Sequence, residues 1–151
     1  FGGHPMAAGL SMEEKNVELF RRRLNDNCTL TEQDLIPKIM IDVPMPISYL
    51  SKKLTEQLKV LEPFGKGNSK PLFAQKNLRA VGIRVFGRNR NVAKMLLIDG
   101  NGIKMDAVYF GEAQEFVDFV QAHDTISVTY YPEINVFQGR ENLQVVIKNY
   151  C

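Results

Sequence analysis

Up to about residue 60 the apolar positions of the chain recur at helical spacing, and from residue 74 onward they mostly alternate as in strands. Val17, Phe20 and Leu24 share one face of a helix that is predicted to run to about Asp26. Ser11 and Glu14 have the spacing of a capping box at its start. Thr31 to Leu35 reads as one short helical turn. Lys38 to Val43 alternates, with Ile39, Ile41 and Val43 on one face of a predicted strand that Pro44 and Pro46 end. Ser48 is placed to cap a second helix whose apolar stripe is Leu50, Leu54, Leu58 and Leu61. One strand cannot make a sheet, so its partners are expected upstream of residue 1.

Residues 61–73 break both periods with Pro63, Gly65, Gly67, Asn68 and Pro71. Prolines restrict their own backbone and that of the preceding residue, so a shaped connector is predicted, pinned by Phe64 and Phe73. Beyond it, strands are predicted over Leu78–Phe86, Val92–Ile98 and Ile103–Phe110. In the first of these, Val81, Ile83 and Val85 share a face, and Gly82 permits a bend. Asp99-Gly100-Asn101-Gly102 is a hairpin signal. Ala113, Phe116, Val117 and Val120 then fall at helical spacing. Thr125–Tyr131, Ile134–Phe137 and Asn142–Tyr150 complete the set, with Gln138–Glu141 as a turn. Three strands, a helix and further strands is the order of an OB-fold, a five-stranded Greek-key barrel. The predicted class is α+β: a small α/β module over residues 1–60, a linker over 61–73, and the barrel with one helix over 74–151.

Charge sharpens this picture. The net charge is only +2, but residues 76–104 carry Lys76, Arg79, Arg84, Arg88, Arg90, Lys94 and Lys104 against Asp99 alone, a net of +6. Residues 105–139 carry Asp106, Glu112, Glu115, Asp118, Asp124 and Glu133 with no Lys or Arg, a net of −6. One side of the barrel is therefore expected to attract a polyanion and the other to repel it. Barrels of this kind hold single strands with a cationic groove and aromatic platforms. Arg79, Arg84, Arg88, Arg90, Lys94 and Lys104 are the candidate cations, and Phe86, Tyr109, Tyr130 and Phe137 the candidate platforms. Each aromatic has barrel core as its alternative, favoured for Tyr109 because Ile103, Met105 and Ala107 share its face.

The barrel module shows no Ser-His-Asp set, Cys nucleophile or paired carboxylates with a metal partner, so it reads as a binder. Cys28 and Cys151 have no paired spacing; a reduced, cytoplasmic setting suits them better than a disulfide or zinc site. Asn27-Cys28-Thr29 is a chance sequon. No run reaches the ~20 apolar residues that a membrane-spanning helix needs, so no membrane partner is expected. The chain opens Phe1-Gly2-Gly3-His4-Pro5-Met6-Ala7-Ala8-Gly9. Paired glycines let backbone approach an anion, and His4 adds a donor for phosphate, although such a turn taken alone better suits a structural histidine. A start at Phe1 in such a motif suggests a piece of a longer chain.

Two motifs carry a family resemblance. Gly2-Gly3-His4-Pro5-Met6-Ala7-Ala8-Gly9 resembles the signature of the domain that accompanies DHH phosphoesterases. Leu61-Glu62-Pro63-Phe64-Gly65-Lys66-Gly67-Asn68, with Pro71 and Phe73, resembles the junction before the OB-fold in the RecJ family of single-strand-specific exonucleases; Ser69 stands where that family usually has proline. The resemblance spans essentially the whole chain. It implies a parent exonuclease with two divalent metals (Mn or Mg) that digests single-stranded DNA from the five-prime end in repair and recombination. Its metal ligands would lie in a DHH catalytic domain N-terminal to this chain, which would hold no metal and cut nothing alone. Gly2, Gly3 and His4 would hold a substrate phosphate. A phosphodiesterase of short oligonucleotides or cyclic dinucleotides, or a non-catalytic OB module, remains an alternative.

Overall fold

The computed structural model describes residues 1–151, which form two compact units, Phe1–Ile39 and Met40–Cys151. In the first unit, β1 (Gly2–His4) and β2 (Ala7–Gly9) make an antiparallel hairpin with Gly3 opposite Ala8. A Cβ on Gly3 would fall 3.0 Å from the Ala8 Cα, so a larger residue there would push the strands apart by a few tenths of an ångström. A 3-10 turn over Glu14–Asn16 leads into α1 (Val17–Asp26). The cap position is Glu13, two residues past Ser11, so the Ser11–Glu14 box does not form. A box forms instead at the next turn: the Thr31 amide and hydroxyl both donate to Asp34 Oδ2, at 2.8 and 2.7 Å. Those two bonds hold the Asp34 carboxyl below the usual carboxylate range. Only Phe20 is even half-buried in this unit.

The strand predicted over Lys38–Val43 shrinks to β3 (Val43–Pro44). Asp42 replaces ladder pairing with a local clasp, its amide donating to Leu72 O at 2.9 Å and its Oδ2 accepting from Leu72 N at 2.8 Å. The partner of β3 lies downstream, not upstream: it runs parallel to β4 (Phe73–Phe86). Between them, α2 (Lys52–Leu58) is capped by Ser51, whose Oγ accepts from Leu54 N at 3.1 Å, three residues after the predicted Ser48. Ile47 and Leu50 are buried with the barrel residues, so residues 40–60 fold as part of the second unit. The connector over 61–73 consequently lies inside that unit. Asn68 Nδ2 donates to Leu61 O and Pro63 O at 2.6 and 3.1 Å, and Phe73 is buried, which gives it a defined shape.

The barrel is completed by β5 (Val92–Ile98), β6 (Lys104–Phe110), α3 (Ala113–Ala122), β7 (Ile126–Phe137) and β8 (Arg140–Tyr150). Strands follow the order β4-β5-β6-β8-β7, and β7 pairs back onto β4, which closes the ring. Only β6–β8 is parallel among these five, as an OB-fold requires. β4 serves two neighbours by bulging twice. Its register slips against β7 around Asn77 (φ 58°) and against β5 around Gly82 (φ 63°). The second bulge inverts the side-chain phase, so Val81 faces outward while Ile83 and Val85 face the core. Predicted as one face, these three residues are split by the bulge. β7 runs unbroken through Pro132, which lies past its last pairing with β4, where one strand edge has no neighbour to bond.

The interior is filled by Leu78, Leu97, Phe116, Ile126, Tyr130 and Ile147. α3 contributes Phe116, which stacks on Tyr109 at 4.7 Å and meets Tyr150 edge-on at 4.8 Å. The Asp99–Gly102 hairpin is held by its own carboxylate: Asp99 Oδ1 accepts from Asn101 N (2.9 Å) and Ile103 N (2.8 Å). Since Asp99 is buried, Asp99→Ala is expected to cost about 2 kcal/mol in urea unfolding, and Asp99→Asn to recover most of it.

Candidate nucleic-acid interface

Alternation decides what each strand shows to solvent. On β4, Arg79, Val81, Arg84 and Phe86 point outward; on β5, Val92, Lys94, Leu96 and Ile98; on β6, Lys104, Asp106 and Phe110, with Val108 in phase with them but buried. Cross-strand register lines these up in rows: Phe86–Val92–Phe110, then Arg84–Lys94–Val108, then Val81–Leu96–Asp106, then Arg79–Ile98–Lys104. Their middle sinks into a shallow groove of about 510 Å³ floored by Leu96 and flanked by Arg84, Phe86, Lys94 and Asp106.

Two further cations, Arg88 and Arg90, stand on the turn between β4 and β5. Gly87 (φ 89°) starts this turn, since a Cβ there would lie 2.7 Å from Asn91 Oδ1. The turn is tied to the end of β6 by Gly111 N donating to Asn91 O at 3.0 Å. Arg79, Arg84, Arg88, Arg90, Lys94 and Lys104 therefore occupy one outer surface. None has a carboxylate within 4.0 Å, whereas Lys15, Arg21, Lys52 and Lys59 are all paired elsewhere.

The aromatic candidates divide. Phe86 is 48% exposed on this surface. Phe137 is 64% exposed at the tip of the β7–β8 arm, beside the Gln138-Gly139 turn, whose residues both have positive φ. Because β8 runs parallel to β6, that tip lies towards the strand ends that carry Lys104, away from Arg88 and Arg90. Tyr109 and Tyr130 are not available as platforms. Tyr130 is fully buried, its hydroxyl donating to Met45 O at 2.5 Å, and burial raises its pKa far above the ordinary value. Tyr109 packs in the core, where burial foremost, and the neighbouring Tyr150, raise its pKa.

Two residues depart from the charge and aromatic patterns of the sequence. Asp106, counted with the acidic half, stands on the cationic surface, because β6 follows β5 into the same sheet. Phe110, 58% exposed, joins the surface unannounced. The signal for it was present: with Tyr109 inward, strict alternation turns Phe110 outward.

In the first unit, Gly2, Gly3 and His4 line an open concavity with Phe1, Ala8 and Gly9. His4 Nδ1 accepts from Met6 N at 3.2 Å, which leaves Nε2 to carry the proton of the neutral ring and to donate outward. No group of three or more His, Cys, Asp or Glu side chains is placed to hold a metal ion, so the two divalent metals implied by the resemblance do not fit these residues. No helix is long and apolar enough to cross a membrane.

Comparison with known proteins gives a consistent answer. The family model described as the RecJ OB domain matches residues 41–149, close to the whole second unit. The single-stranded-DNA-specific exonuclease RecJ of Bacillus subtilis is 32% identical over 151 residues, covering 99% of this chain and 19% of that protein. Its Escherichia coli counterpart is 30% identical over 155 residues, covering 99% and 26%. The chain thus spans about a fifth to a quarter of these relatives. The crystal structure of Thermus thermophilus RecJ with Mn2+ superposes with a TM-score of 0.72 at 20% identity, covering 99% of this chain and 21% of that one. A closed five-stranded barrel in OB order, and a family match spanning most of the chain, lead to one assignment: this chain belongs to the RecJ OB domain family.

Proposed function

We propose that the chain is the substrate-binding part of a single-stranded-DNA-specific exonuclease, its barrel groove gripping the strand by phosphate contacts and base stacking. The observation that carries this reading is the set of six unpaired cations on one outer barrel surface with Phe86 exposed among them. An exposed ion pair is worth little, so it is the gathering of these six that tells, since a phosphate chain releases counterions when it meets such a surface. The opening hairpin, by this reading, ends a DHH-associated domain, and Gly2, Gly3 and His4 contact a phosphate there through amides and the His4 Nε2–H. Phe137 at the arm tip extends the binding surface past Lys104.

The parent enzyme of this proposal is cytoplasmic, and uses two divalent metals (Mn or Mg) held by a DHH catalytic domain outside these residues. It digests from the five-prime end in repair and recombination. When bound there, the metals would supply activated water and charge stabilisation at the phosphate; this chain's residues bind and orient the strand and cut nothing by themselves.

The test is a salt titration of the affinity of the 151-residue chain for single-stranded and duplex oligonucleotides. Single strands are expected to bind more tightly, with a slope of about −0.7 per phosphate contacted. Arg88→Glu with Arg90→Glu is expected to weaken binding roughly tenfold or more and to flatten the slope by about 1.4, for two lost contacts. Equal affinity of parent and variant would remove that turn from the interface, and tighter duplex binding would overturn the reading.

A further inference from the structure

We propose that Phe110 is a base-stacking residue of the groove, paired with Phe86 across Val92; this rests on the single-strand reading above. Phe86 and Phe110 are the two outward aromatics of one cross-strand row, 48% and 58% exposed. Two inter-strand spacings separate their backbones, roughly 10 Å. Val92 lies between them and is half-buried, so the row is an apolar strip with an aromatic ring at each end. Phe110 is 58% exposed, whereas Tyr109 beside it is engaged by Phe116 and Tyr150 in the core.

The position of Phe110 is held from both sides. Its strand is paired to Val92, and the next residue, Gly111, donates to Asn91 O at 3.0 Å. A Cβ on Gly111 would fall 2.6 Å from the Tyr109 hydroxyl, so glycine is required for the chain to leave β6 directly after Phe110. Of the two β6 residues in phase with Phe110 before it, Val108 is buried and Asp106 is half-buried and acidic. A phosphate is disfavoured beside Asp106, whereas a base face suits the strip. Phe110 therefore contacts a base while the neighbouring cations Arg84 and Lys94 contact phosphates.

The decisive experiment uses the 151-residue chain with oligo-dT as probe. Phe110→Ala is expected to lower affinity on the order of tenfold while the salt slope stays unchanged, since a base contact releases no counterion. The chain contains no tryptophan, so Phe110→Trp supplies a unique emission that is expected to be quenched at saturation with affinity kept. The proposal is overturned if Phe110→Ala binds like the parent while Arg84→Glu binds less, or if the Phe110→Trp emission is unchanged at saturation. If neither Phe110→Ala nor Arg84→Glu weakens binding, the groove reading itself fails and this one with it.

Discussion

Tyr130→Ala is expected to lower the stability of the second unit by roughly 3–5 kcal/mol, the range for removing a large aromatic from a packed interior. Tyr130 is completely buried, lies 6.1 Å from the ring of Phe73, and spans 85 residues of sequence through its hydrogen bond to Met45 O. It joins the barrel to the segment ahead of α2, so its loss opens two packing surfaces at once. Tyr130→Phe keeps the ring and removes only the hydroxyl, and about 1–3 kcal/mol is expected. Urea unfolding measures both, and affinity for single strands is expected to be unchanged in Tyr130→Phe. Alkali gives a related readout. Burial raises the pKa of Tyr109, Tyr130 and Tyr131, so the folded chain resists their deprotonation. Their stabilising contribution is complete below the unfolded value of about 10 and is lost as pH rises beyond it towards the folded values. Tyrosinate absorbance is therefore expected to show these groups titrating late, together with loss of the fold.

The same residue shows what the sequence made legible. Alternation placed β5 to the residue and β6 within one, because a strand with one buried face writes a period of two directly into its side chains. It could not reveal the phase inversion at Gly82, where one extra residue moves Val81 outward and Ile83 inward. Tyr130 and Phe86 are indistinguishable by composition; only the closure of β7 onto β4 buries the first and leaves the second exposed. The cations were legible as a run, and the sheet gathers them because β4, its turn, β5 and the start of β6 are adjacent both in sequence and in space. Asp106 lay hidden in an acidic run for the converse reason: it is near α3 in sequence and near Lys94 in the sheet. Residues 40–60 read as part of the 1–60 module because helical periodicity says nothing about which core receives it, and here Ile47 and Leu50 join the barrel.

Arg84→Glu is expected to move stability and binding in opposite directions. Arg84 sits directly across from Lys94 on β4 and β5. Like charges in that arrangement, with side chains about 5 Å apart at Cβ, disfavour folding, and neither has a carboxylate within 4.0 Å to offset it. A glutamate at position 84 converts the clash into an attractive cross-strand pair, so stability is expected to rise by about 0.2–1 kcal/mol. The same change removes one phosphate contact and sets a carboxylate in the groove. Affinity for oligo-dT is expected to fall by at least about tenfold, with a salt slope shallower by about 0.7. Lys94→Glu should behave alike. The double reversal restores like charges face to face, so it should return stability towards the parent level while binding least of all. If stability and affinity instead fell together in Arg84→Glu, the guanidinium would be holding the barrel and not the strand. A repulsive pair that folding alone disfavours is understandable when its partner is a polyanion that arrives after the barrel has closed.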